Sequence, residues 1–290
     1  MKIGIFGPEN GEWHVERLLK ELKSRGVDSY VFPITRVQSR IGMKPSLSVR
    51  GYTLDDYDAV IVRRVPGGSS EQVFYRMDSL HRLEDKGVKV FNPSRGIERA
   101  VDKFYTSAIL EDSGIRTPRT VVTESFGEAM KWFRRLGEDV VVKPLFGSLG
   151  MGIVRVSSED IAYRVFRALE STRSVYYIQE YIEHGGVDLR IFVIGEEAVS
   201  GMRRVADSWK TNISIGGKAH PYEPESEHVE LSIRASKALG LEYTGVDVLE
   251  SGEGTPYVVE LNSTPGWRGI QSVTKLDITK AIIDHVVSKV

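Results

Sequence analysis

The stretch VVKPLFGSLGMG, residues 141–152, places Lys143 ahead of three glycines, Gly147, Gly150 and Gly152. A P-loop needs its lysine after the glycines, at the start of a helix, so this order excludes a P-loop. The dinucleotide fingerprint also opens a helix, whereas the residues 153–156 that follow here are mostly β-branched and favour a strand. The order therefore predicts a strand, a glycine-rich hairpin and a second strand.

Short apolar runs alternate with helical patterns in the first third of the chain. We predict strands over 2–6, 27–33, 59–63 and 88–91, and helices over 15–25 and 71–86. Strands that alternate with helices are typical of a parallel sheet. Residues 1–92 are therefore predicted to form an N-terminal α/β domain.

The rest of the chain predicts two α+β domains, over residues 93–175 and 176–290. The first has predicted helices over 94–113, 126–135 and 158–169 around strands over 119–122, 140–142, 153–156 and 176–178. The second has longer strands, over 189–194, 198–205, 244–249 and 257–261, with helices over 227–239 and 277–290.

Composition excludes several classes of function. A formal net charge of -1 and a pI near 6.6 give no electrostatic case for a nucleic-acid or membrane partner. No run of eighteen apolar residues and no secretory signal are visible, so we expect a cytoplasmic protein. The absence of cysteine excludes disulfides, thiolate metal sites and cysteine nucleophiles. Neither a G-x-S-x-G elbow nor a helical histidine pair supports a serine hydrolase or a zinc enzyme.

Lys143 stands at the end of a predicted buried strand, beside the glycine hairpin. A lone lysine on a strand is usually a surface residue, and a glycine hairpin is often only a tight turn. Together they favour phosphate binding, because an ammonium group and unobstructed backbone N–H groups both suit phosphate oxygens.

Acidic and amide side chains end two apolar strands near the C-terminus. Glu260 and Asn262 are two residues apart in YVVELN, so they lie on one face of a strand, and Asp247 belongs to the apolar run TGVDV. Hard oxygen ligands of this kind suit magnesium. Polar caps at strand ends are the alternative, but acids in buried strands are unfavourable unless they are paired or bind a metal.

The segment between the two α+β domains has backbone groups that can bind a base. Gln179, Glu180, Tyr181 and Ile182 form an extended link whose N–H and C=O groups can pair with an adenine, and Asp188 and Arg190 share one face of the next strand.

These motifs occur in a recognisable order. DKFYTSAILEDSGIRTPRT, VVKPLFGSLGMG, QEYI followed by DLR, WKTNISIGG, GVDV and ELNSTPGW together resemble the ATP-grasp enzymes, and most closely their RimK-like branch. The resemblance covers about residues 93–275. It implies a three-domain ATP-grasp fold with a Rossmann-like N-terminal domain, in which the two α+β domains clamp ATP.

The resemblance also implies roles for the residues of the site. It assigns ATP to Lys103, Lys143, the three hairpin glycines, Gln179 to Ile182, Asp188 and Lys210. It assigns Mg²⁺ or Mn²⁺, as two ions, to Asp247, Glu260 and Asn262. Lys210 replaces the arginine of some relatives, which makes a phosphate contact there less specific.

The implied chemistry is ligation. A carboxylate attacks the γ-phosphate of ATP, and an amine then attacks the resulting acyl phosphate. Lys143, Arg203, Lys210 and Asn212 are the expected catalytic residues. The expected substrate contacts are Arg63, Arg64, Arg190, Arg203, Arg204 and Asn212, although Arg63 and Arg64 are equally compatible with a solvated strand end.

Several partners are compatible with this chemistry. We expect L-glutamate as the amine and the glutamyl tail of a pterin-type or deazaflavin cofactor as the acceptor. A protein C-terminus, a carrier protein of lysine biosynthesis, and a non-catalytic ATP-binding module are the alternatives. We also expect a homo-oligomer, either a dimer or a tetramer.

Overall fold

The structure is a computed structural model and describes residues 1–147 and 150–290. The tip of the predicted glycine hairpin, Ser148 and Leu149, lies outside the described residues. The helices of the described ranges are too short or too polar to cross a membrane.

The N-terminal part contains a parallel sheet and a small antiparallel one. Its elements are β1 (Lys2–Phe6), α1 (Trp13–Ser24), β2 (Asp28–Phe32), β3 (Val37–Ser39), β4 (Leu47–Val49), β5 (Tyr52–Thr53), β6 (Ala59–Val62), α2 (Ser70–Asp85) and β7 (Lys89–Phe91). The parallel sheet has the order β2-β1-β6-β7, as expected for strands joined by helical crossovers. The sheet β3-β4-β5 is a short insertion that the sequence did not predict.

The central part is built on one antiparallel sheet. Its elements are α3 (Ser94–Val101), α4 (Lys103–Asp112), β8 (Thr120–Thr123), α5 (Phe126–Arg135), β9 (Val140–Lys143), β10 (Val154–Val156), α6 (Glu159–Ser171) and β11 (Tyr176–Glu180). The sheet order is β10-β9-β11-β8. Strands β9 and β10 pair directly and antiparallel, so the two predicted strands on either side of the glycines are confirmed.

The C-terminal part has the largest sheet. Its elements are β12 (Val187–Ile194), β13 (Glu197–Val205), β14 (Lys218–Tyr222), α7 (Ser226–Leu239), β15 (Tyr243–Glu250), β16 (Pro256–Asn262), α8 (Arg268–Gln271) and α9 (Ile278–Lys289). The order is β14-β13-β12-β15-β16, and all pairs are antiparallel. The mixed α/β content predicted from the sequence is confirmed.

One predicted helix is divided in two. The expected helix over 94–113 is interrupted at Asp102, which has an extended backbone and separates α3 from α4. Its carboxylate accepts a hydrogen bond from the N–H of Tyr105 at 3.0 Å and so caps α4. The break places Lys103 at the first turn of a new helix.

The apolar cores show how the three parts are held together. One face of the parallel sheet packs with α1, α9 and part of the C-terminal sheet, in a core that includes Ile5, Phe192 and Trp267. The other face of the C-terminal sheet packs against α7 and α4. The central sheet has a separate core with α5 and α6. Leu110 and Ile115 belong to the C-terminal core, so the apolar side of α4 packs on that core although α4 lies within the predicted 93–175 segment.

Asn92 joins the N-terminal and C-terminal parts. Its buried amide donates to the carbonyls of Tyr243 and Ser263 at 2.7 and 2.6 Å, and its Oδ1 accepts from the N–H groups of Glu242 and Tyr243. Every polar atom of the amide is therefore used, as burial requires.

Candidate active site

One face of the C-terminal sheet changes from apolar to charged along its strands. The register pairs Asp188 with Arg204, Arg190 with Asp247, and Asp247 with Glu260. Because side chains alternate along a strand, these groups share one face. Their neighbours in the chain, such as Leu189, point into the apolar core on the other side. Asn262 pairs with Gly245 and lies at the end of the same row.

The charged face contains a network of ion pairs. Arg204 Nε and Nη2 donate to the Asp188 carboxylate, both at 2.5 Å, and Nη2 also lies 2.9 Å from Asp247. Arg190 donates to both oxygens of Asp247 at 2.7 Å. Thr211 donates to Asp188 at 2.6 Å. Both oxygens of each aspartate are therefore engaged by protein donors.

These contacts set the ionisation of the network. Burial alone would raise the pKa of Asp247, but Arg190 and Arg204 lower it below its usual value. Burial opposes the charge of Arg204, yet Asp247 and Asp188 raise its pKa above the usual value. Asp247 and Arg204 are therefore both held in their charged forms. Asp188 belongs to the same set of ion pairs, and its predicted contact with ATP stays a prediction.

Glu260 differs from its neighbour Asp247. Its carboxylate forms no ion pair or hydrogen bond with any residue that the structure describes. Burial and the adjacent Asp247 raise its pKa, while Lys103, Arg190 and Lys143 act in the opposite direction. Glu260 is thus an acid beside several cations and without a direct partner.

The predicted metal ligands suit a hard cation. Within residues 1–147 and 150–290 no group of three acidic or histidine side chains forms a metal cluster. Two carboxylates and an amide are nevertheless adjacent, because Asp247 pairs with Glu260 and the Asn262 amide group donates to the Gly245 carbonyl at 3.3 Å. This donor set of oxygens fits Mg²⁺, which binds few protein ligands when phosphates supply the others.

Lys143 extends from the end of β9 in the central sheet. Its Nζ donates to Gln179 Oε1 at 2.6 Å, and the Gln179 amide in turn donates to Thr120 and Tyr177. Burial lowers the pKa of Lys143 to about 8, with Glu260 opposing and Lys103 adding to that shift. The Gln179 side chain therefore positions this lysine, a role that its backbone position in the predicted adenine link did not reveal.

Lys103 is a second ammonium group in the same cleft. Its Nζ donates to the carbonyl of Gly147 at 2.9 Å. Burial lowers its pKa, and Glu260 and Asp102 oppose that change. Since Glu260 acts on both lysines, the structure brings together two groups predicted for ATP and one predicted for metal.

Two backbone N–H groups of the predicted adenine link are paired, and the third that follows them is available. Glu180 N–H donates to the Arg119 carbonyl and Tyr181 N–H to the Asp139 carbonyl. The N–H of Ile182 forms no hydrogen bond within the described ranges. The Tyr181 ring lies 3.5 Å from the Arg155 guanidinium carbon. A donor for a base is therefore present at residue 182.

The loop after β13 meets the glycine hairpin. Lys210 Nζ donates to the Ile153 carbonyl at 2.6 Å. Gly150 has a φ of +71°, and a Cβ built there would lie 2.9 Å from Asn212 Oδ1, so this close approach requires glycine. Gly152 also has positive φ, and both glycines and Lys210 lie where β9, β10 and the loop meet.

Two predicted substrate arginines do not face the charged cluster. Arg203 lies on the opposite face of β13 from Arg204, exposed and 5.7 Å from the Tyr222 ring centre, because adjacent strand residues point in opposite directions. Arg63 is buried, with Nη1 donating to the Pro265 carbonyl at 2.9 Å and its guanidinium 4.7 Å from the Trp267 ring centre. Arg64 is exposed beside it.

Sequence reasoning missed the polar residues that support the charged ones. Thr211 and Thr120 position Asp188 and Gln179, but an isolated threonine has no signal of its own in a sequence. Arg204, which was predicted as a substrate contact, is buried in ion pairs with Asp188 and Asp247. The burial of Arg204 could have been indicated by its place in an apolar strand that follows a strand with the pattern D-x-R.

Lys143 on the central sheet and Lys103 at the start of α4 lie near the carboxylates of the C-terminal sheet, which is the arrangement expected of an ATP-grasp ligase. The sequence matches the RimK PreATP-grasp domain over residues 1–97 and the RimK-like ATP-grasp domain over residues 100–286. The chain therefore belongs to the RimK-like ATP-grasp family of ATP-dependent ligases.

The chain is similar over its full length to curated members of this family. It is 36% identical to the tetrahydromethanopterin:α-L-glutamate ligase of Methanocaldococcus jannaschii, over 100% of this chain and 99% of that protein. It is 32% identical to the enzyme of the same name from Methanococcus maripaludis, over 99% and 98%. The fold is similar to that of the ATP-grasp ligase PsnB in complex with its minimal precursor, with a TM-score of 0.79 and 23% identity over 100% and 99% of the two chains.

Proposed function

We propose that this protein uses ATP to join the amino group of L-glutamate to a carboxylate of a pterin-type acceptor. The observation that carries the proposal is Glu260, which has no direct partner among the residues that the structure describes and lies beside Asp247, within electrostatic reach of Lys103 and Lys143. A carboxylate pair that faces two ammonium groups suits a metal-bound polyphosphate. The names of the relatives, which are glutamate ligases for tetrahydromethanopterin, support the choice of amine and acceptor.

The architecture that we propose has three domains. A Rossmann-like N-terminal domain covers residues 1–92, and two α+β domains over 93–175 and 176–290 clamp ATP. The separate core of the central sheet supports this division from β8 onwards, while α4 packs on the C-terminal core. Four points remain predictions: that two metal ions bind, that Mn²⁺ can replace Mg²⁺, that the protein is a homo-oligomer, and that it is cytoplasmic.

Each group in the cleft has a role in the proposed binding step. Lys103 and Lys143 neutralise phosphate oxygens, and Asp247, Glu260 and Asn262 would hold Mg²⁺. When bound, the metal would supply positive charge to the phosphates. The N–H of Ile182 donates to the base, while Lys210 and Asn212, in contact with the hairpin, cover the phosphates. Phosphoryl transfer needs this positioning and charge neutralisation rather than a protein nucleophile.

The proposed reaction has two steps. An acceptor carboxylate oxygen attacks the γ-phosphorus, the bond to the bridging oxygen breaks, and ADP leaves. The glutamate amine then attacks the acyl carbon, loses a proton and expels phosphate, which leaves an amide. Arg64, exposed at the carboxyl end of β6, is the group that we propose for the acceptor's carboxylates. Arg63, which is buried, supports the segment after β16 instead.

The test is a labelling experiment. The protein is incubated with Mg-ATP, isotope-labelled L-glutamate and a tetrahydropterin that carries a glutamyl tail, and the products are identified by mass spectrometry with ADP and AMP quantified. We expect one labelled amide for each ADP. Formation of AMP, or no amide with any glutamyl acceptor while ATP stays intact, would contradict the proposal.

A matched variant separates a ligase from a nucleotide-binding module. Glu260→Gln keeps the size of the side chain and removes its charge. A ligase should lose turnover by about a hundredfold or more, with a smaller loss of ADP affinity in calorimetry. A protein that binds ATP without ligation would show no labelled product in either form.

A further inference from the structure

Two guanidinium groups share the carboxylate of Asp247, which is also a proposed metal ligand. Oδ1 accepts from Arg190 Nε, and Oδ2 accepts from Arg190 Nη2 and lies 2.9 Å from Arg204 Nη2. A carboxylate has about four lone-pair sites, two on each oxygen. A divalent cation at Asp247 must therefore compete with these arginines.

The two arginines differ in their freedom to move. Arg204 is 3% exposed and also forks onto Asp188, which Thr211 holds in place. Arg190 is 14% exposed, and Asp247 is its ion-pair partner among the described residues. A cation at Asp247 can therefore displace Arg190 with fewer lost contacts than Arg204.

A displaced Arg190 would need another anion. Its guanidinium would otherwise remain beside Arg204 and the new cation, and like charges at such distances repel in a half-buried site. Phosphate oxygens are suitable partners because the guanidinium fork matches their geometry. Glu260 has no direct partner in the described part of the chain, so it can give the cation a second oxygen ligand.

We propose that Arg190 competes with the divalent cation for Asp247 and thereby couples metal binding to nucleotide binding. The inference rests on the proposed function, which supplies the metal and the nucleotide. Without nucleotide, Arg190 keeps Asp247 and the metal binds weakly. With nucleotide, the phosphates accept Arg190 and the metal takes its place, so each ligand strengthens the binding of the other.

The test measures Mn²⁺ binding directly, by the loss of the free-ion signal in electron paramagnetic resonance, with and without ADP. In the nucleotide-free protein, Arg190→Gln should bind Mn²⁺ about tenfold more tightly than wild type, which is within the usual range for coupled sites. ADP should strengthen Mn²⁺ binding in wild type and much less in the variant. Arg25→Gln, which also removes an arginine from ion pairs but lies just after α1, should behave as wild type.

The outcomes separate this inference from the proposed function. If wild type fails to bind Mn²⁺ both with and without ADP, the proposed metal site fails. If wild type binds Mn²⁺ in the presence of ADP, but Arg190→Gln gains no affinity in its absence, only the competition fails. Arg190→Lys keeps the charge and loses the fork, so its gain in Mn²⁺ affinity should be smaller than that of Arg190→Gln. The lysine variant provides the test if the glutamine variant does not fold. An unchanged affinity in Arg190→Lys would then overturn the inference.

Discussion

The central and C-terminal sheets each carry an arginine that forks onto an aspartate, and the two pairs differ in burial. In the central sheet, Arg155 Nε and Nη2 donate to Asp139 at 2.8 and 2.7 Å, with side chains 32% and 39% exposed. In the C-terminal sheet, Arg204 makes the same fork onto Asp188, with side chains 3% and 8% exposed. Hydrogen-bond geometry alone therefore does not decide how much an ion pair contributes to the free energy of unfolding.

The difference follows from how each sheet is packed. The C-terminal sheet is covered by apolar cores on both faces, one shared with the N-terminal part and one with α7 and α4. The central sheet packs on a core of its own. The C-terminal side of the cleft is thus the fixed side, where Arg204 and Asp188 are buried together, while the Arg155–Asp139 pair of the central side is partly exposed to solvent.

The largest expected effect is on the buried pair. Arg204→Met leaves Asp188 without its buried partner and Asp247 with one arginine instead of two. Breaking a buried ion pair from one side costs about 3–5 kcal/mol, because the remaining charge stays desolvated. Urea unfolding followed by tryptophan fluorescence measures the change in the free energy of unfolding.

A double variant shows whether the stranded charge is the cause. Asp188→Leu combined with Arg204→Met removes both members of the fork, so it should be more stable than Arg204→Met alone. If Arg204→Met lowered the free energy of unfolding by less than about 1 kcal/mol, the buried pair would stabilise the protein no more than a surface pair does. The contrast drawn between the two sheets would then be wrong.

A second prediction concerns the pH dependence of the central side. The pKa of Lys143 is lowered to about 8 by burial, so its ammonium form is present below that pH and lost above it. If the phosphates of ADP bind the charged form, affinity should fall about tenfold between pH 7 and pH 9. Calorimetry with ADP and no metal measures this change.

Lys143→Arg is the matched control for the pH dependence. A guanidinium stays charged throughout this range, so the slope of affinity against pH should flatten. The same slope in both proteins would assign the titration to another group. By contrast, the arginines of the C-terminal side should contribute no pH dependence.

Local patterns predicted most of the fold. The lysine before the glycines predicted a strand pair because β9, the hairpin and β10 are adjacent in the chain. The break at Asp102 was not predicted, since the surrounding pattern is helical and only the capping contact shows the interruption. Strand β14 was missed because it is an edge strand, partly exposed, and contains Pro221.

The site was harder to predict than the fold, because its residues meet through strands that are far apart in the sequence. Arg203 and Arg204 are adjacent, and alternation requires that they face opposite sides of β13. Only the register with β12, which places Arg204 opposite Asp188, decides which arginine joins the cluster. Arg63 is buried through contacts with Pro265 and Trp267, about two hundred residues later, so its strand-end position could not reveal its role.

The smallest expected effect is on the exposed pair. Arg155→Met should change the free energy of unfolding by less than about 1 kcal/mol, because solvent screens the fork onto Asp139 and the methionine keeps much of the apolar stem. The guanidinium also lies over the Tyr181 ring, a contact that is worth about 0.5–1 kcal/mol at exposed sites. Urea unfolding of Arg155→Met, Tyr181→Leu and the double variant separates the two contributions. A loss as large as that of Arg204→Met would show that the central sheet is anchored as firmly as the C-terminal one.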